Sequence, residues 1–136
     1  MHVTSGNHSP EYSRYLKSKT WKSLAARIRK RDHYRCRACN KKPYRKRWFE
    51  FWRARDWLTV HHMSYIEWKR KPGSEPEGVL ITLCRSHHDE VHARHRAGHF
   101  GAHEGSLRAA TNYVVDREQN KLKRRQARMQ AELAKA

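Results

Sequence analysis

Acidic residues, cysteines and long apolar runs are all scarce in this chain. Its 136 residues include 13 aspartates and glutamates against 31 lysines and arginines, and only three cysteines. An odd number of cysteines argues against a disulfide framework, so a reducing compartment and metal ligation fit better. No window approaches the roughly 20 apolar residues of a membrane span, and the N-terminus has no apolar signal segment. The sequence therefore predicts a cytoplasmic protein that is neither exported nor inserted in a membrane.

Positive charge is the dominant compositional feature, with a formal net charge of +18 at pH 7. A charge of this size concentrates and steers polyanions, so nucleic acid is the favoured partner. An anionic membrane is a weaker candidate, because the apolar moment of a membrane-binding helix is mostly missing. A solvated basic surface with no partner is the remaining alternative. Since hydrophobic residues make up 37% of the chain, we expect one small domain of the kind that often depends on a bound metal.

The spacing of apolar residues predicts a mixed α+β fold. Trp21, Leu24, Ala25 and Ile28 recur at the spacing of one helix face. Valine, threonine and isoleucine favour two strands further along the chain. The predicted elements are a flexible lead-in at 1–11, a helix at about 12–31, a strand at 58–62, a loop at 64–78, a strand at 79–83 and a helix from about 86 to 96.

Two further segments are strongly basic. Residues 41–57 interleave lysine and arginine with aromatic residues, and we predict a short helix whose aromatics belong to the core more often than to a base-stacking surface. Residues 98–136 can be a packed helix, a DNA-binding segment or a disordered tail, and we favour a mobile tail that orders on DNA. The predicted phosphate contacts come from Arg45, Lys46, Arg47, Arg53, Arg55, Arg124 and Arg125.

Three cysteines and one histidine have the spacing of a structural zinc site. Cys36 and Cys39 form a tight CxxC knuckle, and Cys84-x-x-His87 at the start of a predicted helix mimics a second CxxC. Structural zinc takes four sulfur or nitrogen ligands in a tetrahedron. The spacing therefore predicts that these four residues bind one zinc ion; the alternative is three ordinary buried cysteines.

Four histidines form a second constellation. His88 and His92 are four residues apart on the predicted helix and project from one face. His61 and His62 are adjacent on a strand and point to opposite sides, so one can join a metal while the other acts as a base. A divalent ion beside a base suits phosphodiester hydrolysis, which needs an activated water and charge neutralisation. The alternatives are a histidine-rich helix with incidental alignment and a single larger zinc cluster.

The combined motifs resemble the HNH, or ββα-metal, nuclease family over about residues 15–95. Segments 31–39, 58–65 and 80–92 carry the resemblance, which is to the small stand-alone proteins of bacteria and phages. It implies a β-hairpin and helix with a zinc knuckle and flanking N- and C-terminal helices, in a domain at 12–97. It also implies His62 as the general base. The implied ligands are His61, His88 and His92 for a catalytic Mg²⁺ or Mn²⁺ ion, and Cys36, Cys39, Cys84 and His87 for Zn²⁺.

The chain departs from the family pattern at two positions. The family usually has cysteine where His87 stands, which makes this a Cys3His site. The family's asparagine lies just before Leu80, where this chain has Val79. That asparagine braces the base histidine, and a backbone carbonyl, Glu75 or Glu77 are candidate substitutes.

The sequence thus predicts a metal-dependent endonuclease that nicks or cuts double-stranded DNA, as a monomer or a homodimer. The alternative, favoured by Val79, is a catalytically silent nucleic-acid-binding module stabilised by zinc. A third possibility is a cytotoxic nuclease domain released from a larger protein.

Overall fold

A computed structural model describes residues 9–42 and 58–136 of the chain. It has the mixed α+β composition that the sequence predicts. Most of the predicted lead-in at 1–11 and of the predicted helix within 41–57 lies outside the described residues, and the lead-in prediction is wrong at Pro10 and Glu11, where the first helix begins. The elements are α1 (Pro10–Lys17), α2 (Lys19–Arg31), β1 (Leu58–His62), α3 (Ile66–Arg70), β2 (Leu80–Cys84), α4 (Arg85–Arg96) and α5 (Ser106–Ala134).

The single helix predicted at 12–31 is in fact two helices, divided at Ser18. Ser18 has an extended backbone, and its Oγ accepts a hydrogen bond from the N–H of Trp21 at 3.2 Å. Ser9 caps α1 in the same way, through the N–H of Tyr12. A serine side chain at an N-cap satisfies a donor that the helix leaves unpaired. In one continuous helix the buried residues of α1, Tyr12 and Tyr15, would lie opposite those of α2, such as Trp21. The division therefore falls where the apolar stripe changes side.

β1 and β2 form a two-stranded antiparallel sheet in which Leu58 lies opposite Cys84 and His62 opposite Leu80. The returning strand begins at Leu80 because Val79 closes a short 3-10 turn. The prediction of a loop throughout 64–78 is wrong for the five residues of α3. A helix this short shows no measurable period, and it is held instead by packing of Tyr65 and Trp68 against the core.

Two apolar clusters meet at the hairpin. One joins α1 and α2 to it through residues such as Trp21 and Ile28. The other joins α4 and α5 to it through Leu83, Val91 and Val114. Because α5 supplies part of this second cluster, residues 98–136 are not simply an extension beyond a domain that ends at 97.

α5 is 29 residues long, or about 43 Å at the helical rise per residue. Its first half is packed, whereas the distal segment (residues 120–136) is exposed apart from half-buried Leu122. Of the forms considered for the basic C-terminal extension, the structure has the helical one, which continues to Ala134. Within residues 9–42 and 58–136, no helix combines the length and apolar character needed to cross a bilayer.

Candidate metal centres

Cys36, Cys39, Cys84 and His87 form the first cluster, with ligand atoms all within 4.8 Å of one another. The Nδ1 atom of His87 lies 3.1 Å from Sγ of Cys84 and 3.7 Å from Sγ of Cys36. Sulfur and nitrogen ligands on one tetrahedral zinc ion are about 3.5 Å apart at ordinary bond lengths. The four residues that the sequence singled out can therefore hold a metal ion.

Local backbone geometry shapes the knuckle of this first cluster. Asn40 has a φ of 62°, in the left-handed region that asparagine tolerates better than most residues. This turn lets the N–H of Asn40 reach the carbonyl of Cys36 at 2.8 Å. The knuckle is tied to β2 by the N–H of Arg37 donating to the carbonyl of Thr82, and to α5 by Gln119. Hydrogen bonds of the main chain thus hold the turn that carries both thiols of the knuckle.

The pKa shifts of this cluster favour the thiolate form at Cys36 and the thiol form at Cys39 and Cys84. A hydrogen bond from Cys84 lowers the pKa of Cys36 to about 4, against the opposing effect of burial and with help from backbone N–H groups. The same bond raises the pKa of Cys84, and burial adds to the rise. Because the thiolate is the metal-binding form, a cation held by these residues would take the place of the proton that Cys84 shares with Cys36.

His61, His88 and His92 form the second cluster, again with ligand atoms within 4.8 Å of one another. The Nε2 atoms of His88 and His92 are 3.2 Å apart. Two nitrogens bound to one ion at about 2.0–2.1 Å are separated by roughly 3 Å. The ring of His61 meets the other two edge-on, with centroids 5.3 and 5.0 Å away. The structure thus brings together the three residues predicted as ligands of a catalytic ion.

His61 presents a nitrogen that fits a metal. Its Nε2 lies 3.0 Å from Oγ1 of Thr111, and its Nδ1 is buried with no hydrogen-bond partner among the described residues. Burial lowers the pKa of His61 well below its usual range, and neighbouring His92 and His88 lower it further. A neutral imidazole with an unused ring nitrogen is the form that binds a cation.

His62, the predicted base, is not one of the three clustered histidines. It follows His61 on β1 and so points to the opposite face of the strand. Its ring lies between Trp21 and Tyr65, with centroid distances of 4.8 and 5.5 Å, and it is 2% exposed. Its Nδ1 is 2.9 Å from the Tyr12 hydroxyl. It nevertheless lines the same cavity of about 280 Å³ as the three clustered histidines.

Glu75 is the second hydrogen-bond partner of His62, with Oε1 3.2 Å from Nε2. The other carboxylate oxygen accepts from the Tyr15 hydroxyl and from the N–H of Gly73, each at 2.9 Å. Because Glu75 accepts all these bonds, Nε2 of His62 carries the hydrogen and Nδ1 accepts from Tyr12. Glu75, one of the residues considered as a substitute for the family's asparagine at the Val79 position, thus bonds His62 directly.

The loop that carries Glu75 depends on a glycine. Gly73 has a φ of +92°, and a Cβ there would lie 2.5 Å from Cγ2 of Thr20. Any other residue would push the loop away from α2 and strain its backbone. The loop in this position holds Glu75 within hydrogen-bonding distance of Nε2 of His62.

Sequence reasoning missed Tyr12 and Thr111, which bond His62 and His61, and Tyr15, which bonds Glu75. Tyr12 is 50 residues from His62 and Thr111 is 50 residues from His61. No local pattern in the sequence signals such distant hydrogen bonds.

The residues predicted to contact phosphate are only partly described. Arg124 and Arg125 are exposed on the distal segment of α5. The others lie outside the described residues: Arg45, Lys46, Arg47, Arg53 and Arg55.

Comparison of the chain with models of known families, with curated proteins and with solved structures gives no match.

Proposed function

We propose that this chain is a metal-dependent DNA endonuclease of the HNH, or ββα-metal, type. The observation that carries the proposal is the convergence of His61, His88 and His92 within 4.8 Å, beside a separate Cys3His cluster. The three histidines come from a β-hairpin and from the helix that follows it directly. A hairpin and helix with two ion sites is the arrangement that the sequence resemblance implies.

His61, His88 and His92 are the residues that would hold the catalytic ion, with Cys36, Cys39, Cys84 and His87 holding structural zinc. A divalent ion held by these histidines would supply positive charge that neutralises the phosphate and the leaving oxygen. Imidazole nitrogens suit transition-metal ions, whereas Mg²⁺ favours oxygen ligands. Of the two catalytic ions predicted, Mn²⁺ is therefore the better fit to this donor set.

His62 is the proposed general base. Glu75 accepts the Nε2 hydrogen and so fixes the tautomer in which Nδ1 carries the lone pair. The Tyr12 hydroxyl donates to that lone pair at 2.9 Å. His62 therefore takes a proton from water only when the Tyr12 hydroxyl moves its hydrogen bond from Nδ1 of His62 to another acceptor. Tyr12 lines the cavity that the clustered histidines share, so substrate entering that cavity can drive the exchange.

Double-stranded DNA is the proposed substrate. The described part of the chain presents a basic surface on the distal segment of α5, where a single acidic residue, Glu132, stands among the cations. Contacts of this kind bind the phosphate backbone without reading sequence. The basic residues of this segment are Lys121, Lys123, Arg124, Arg125, Arg128 and Lys135.

The test is cleavage of supercoiled plasmid in EDTA, Mg²⁺, Mn²⁺ or Zn²⁺ by wild type and by His88→Ala. The side chain of His88 is 22% exposed, so its removal should leave the domain folded. We expect divalent-ion-dependent relaxation that is lost in the variant, with His99→Ala, an exposed histidine outside both clusters, as the matched control. Plasmid binding without cleavage in every ion would overturn the proposal.

A second candidate is the catalytically silent, zinc-stabilised nucleic-acid-binding module. The observation that favours it is that both ring nitrogens of His62 are bonded to protein groups in a buried setting. The two candidates differ in ion binding. A silent module needs only the thiolate-rich ion, whereas the nuclease needs a second ion on histidine alone.

A further inference from the structure

Thr111 lies on α5, outside every motif in the sequence, yet it contacts the histidine cluster. Its Oγ1 is 3.0 Å from Nε2 of His61, and neither residue is more than 2% exposed. The same hydroxyl donates its hydrogen to the carbonyl of Leu107 at 2.8 Å. This bond to the residue four positions earlier is a common conformation of threonine in helices.

The bond to Leu107 decides the direction of the bond to His61. A hydroxyl has one hydrogen, and that of Thr111 is committed to the Leu107 carbonyl. Oγ1 can therefore only accept from His61, which makes Nε2 the protonated nitrogen of the ring. In a neutral imidazole the other nitrogen is then bare.

That bare nitrogen is Nδ1, which is buried and has no hydrogen-bond partner among the described residues. The His61 ring lies edge-on to His88 and His92, whose ligand atoms complete the cluster. Metal-binding histidines usually donate their second N–H to a protein acceptor, which fixes the tautomer and the ring orientation. A buried threonine is an acceptor of this kind.

We propose that Thr111 is a positioning residue for the histidine metal site, which accepts Nε2–H of His61 and so presents Nδ1 to the ion. The inference rests on the metal site of the proposed function, but it does not depend on cleavage. It assigns α5 a part in forming a site whose ligands all come from β1 and α4. The C-terminal helix is then needed for ion binding as well as for packing.

The experiment measures Mn²⁺ binding to zinc-loaded full-length protein by calorimetry. Thr111→Val keeps the side-chain shape and removes the acceptor, so we expect binding about 10–100-fold weaker, in line with loss of such a partner. Thr111→Ser retains the hydroxyl and should bind nearly as well as wild type. The matched control is Ser106→Ala, which removes a hydroxyl on the same helix that bonds His95 at 2.9 Å, outside the cluster.

Equal Mn²⁺ affinity of Thr111→Val and wild type would overturn the inference. If Thr111→Val does not fold, nitrogen NMR of the wild-type imidazoles decides the matter. Hydrogen on Nε2 of His61 supports the inference, and hydrogen on Nδ1 overturns it. Weaker binding by Thr111→Val in a protein that never cleaves plasmid would overturn the nuclease and leave the role of Thr111 in place. No second ion bound by wild type would overturn both.

Discussion

Replacing Glu75 by glutamine changes the hydrogen-bond pattern around His62 without changing its shape. The carboxylate accepts from three donors, namely the Tyr15 hydroxyl, the N–H of Gly73 and Nε2 of His62. A glutamine has one acceptor oxygen and one NH₂ group. If its oxygen keeps Tyr15 and Gly73, its NH₂ group faces His62. The imidazole must then accept at Nε2, and its hydrogen moves to Nδ1.

We therefore expect Glu75→Gln to fold and to lose activity. The substitution keeps the number of hydrogen bonds and removes the negative charge, so the free energy of unfolding should fall by about 1 kcal/mol. A base held in the wrong tautomer loses roughly 10⁴-fold in rate in the analogous carboxylate–imidazole pair of serine proteases. Glu75→Ala differs, because three buried or partly buried donors lose their acceptor, at about 1–3 kcal/mol for each fully buried one. That total is comparable with the whole stability of a small domain, about 5–15 kcal/mol.

The assay combines single-turnover plasmid cleavage with nitrogen NMR of the His62 ring and thermal unfolding. Exposed Glu77, two residues away, provides the control Glu77→Gln, which should match wild type in all three. A Glu75→Gln protein that cleaves at the wild-type rate, or that keeps hydrogen on Nε2 of His62, would refute the reasoning.

Two other predictions concern the Cys3His cluster and the distal segment of α5. Chelation of zinc should lower the melting temperature, measured by circular dichroism, by well over 10 °C. The reason is that the first cluster joins the knuckle to β2 and α4 and that structural zinc contributes folding free energy directly. An unchanged melting temperature would exclude a structural ion. Truncation after Gln119 removes only the distal segment of α5, so the domain should stay folded. The DNA affinity of the truncated protein should fall and should depend less steeply on salt. Fluorescence anisotropy between about 50 and 200 mM salt measures both, because phosphate contacts weaken by orders of magnitude over this range. Equal slopes would show that the segment does not contact phosphate.

The general architecture was predictable because its signals are local. Valine, threonine and isoleucine indicated the strands of the hairpin, the apolar period at 21–28 indicated an N-terminal helix, and ligand spacing indicated both metal clusters. The division at Ser18 was not assigned because the helix was predicted from the apolar face at 21–28 alone, and α3 is too short to show a period.

The surroundings of the histidines were less predictable. His61 and His62 were expected on opposite faces of β1, but a distant hydrogen-bond partner of each was not predicted. Thr111 and Tyr12 reach them from helices 50 residues away in sequence. Such contacts follow from how α1 and α5 pack, which no single segment of sequence encodes.

The most direct measurement is the number and identity of ions bound by the full chain, counted by native mass spectrometry with Zn²⁺ and Mn²⁺ for wild type, His88→Ala and Cys39→Ser. The account predicts two ions on wild type. The histidine variant should lose one ion and keep zinc, and the cysteine variant should be impaired at the zinc site. A wild-type protein that binds a single ion, unaffected by His88→Ala, would contradict the account.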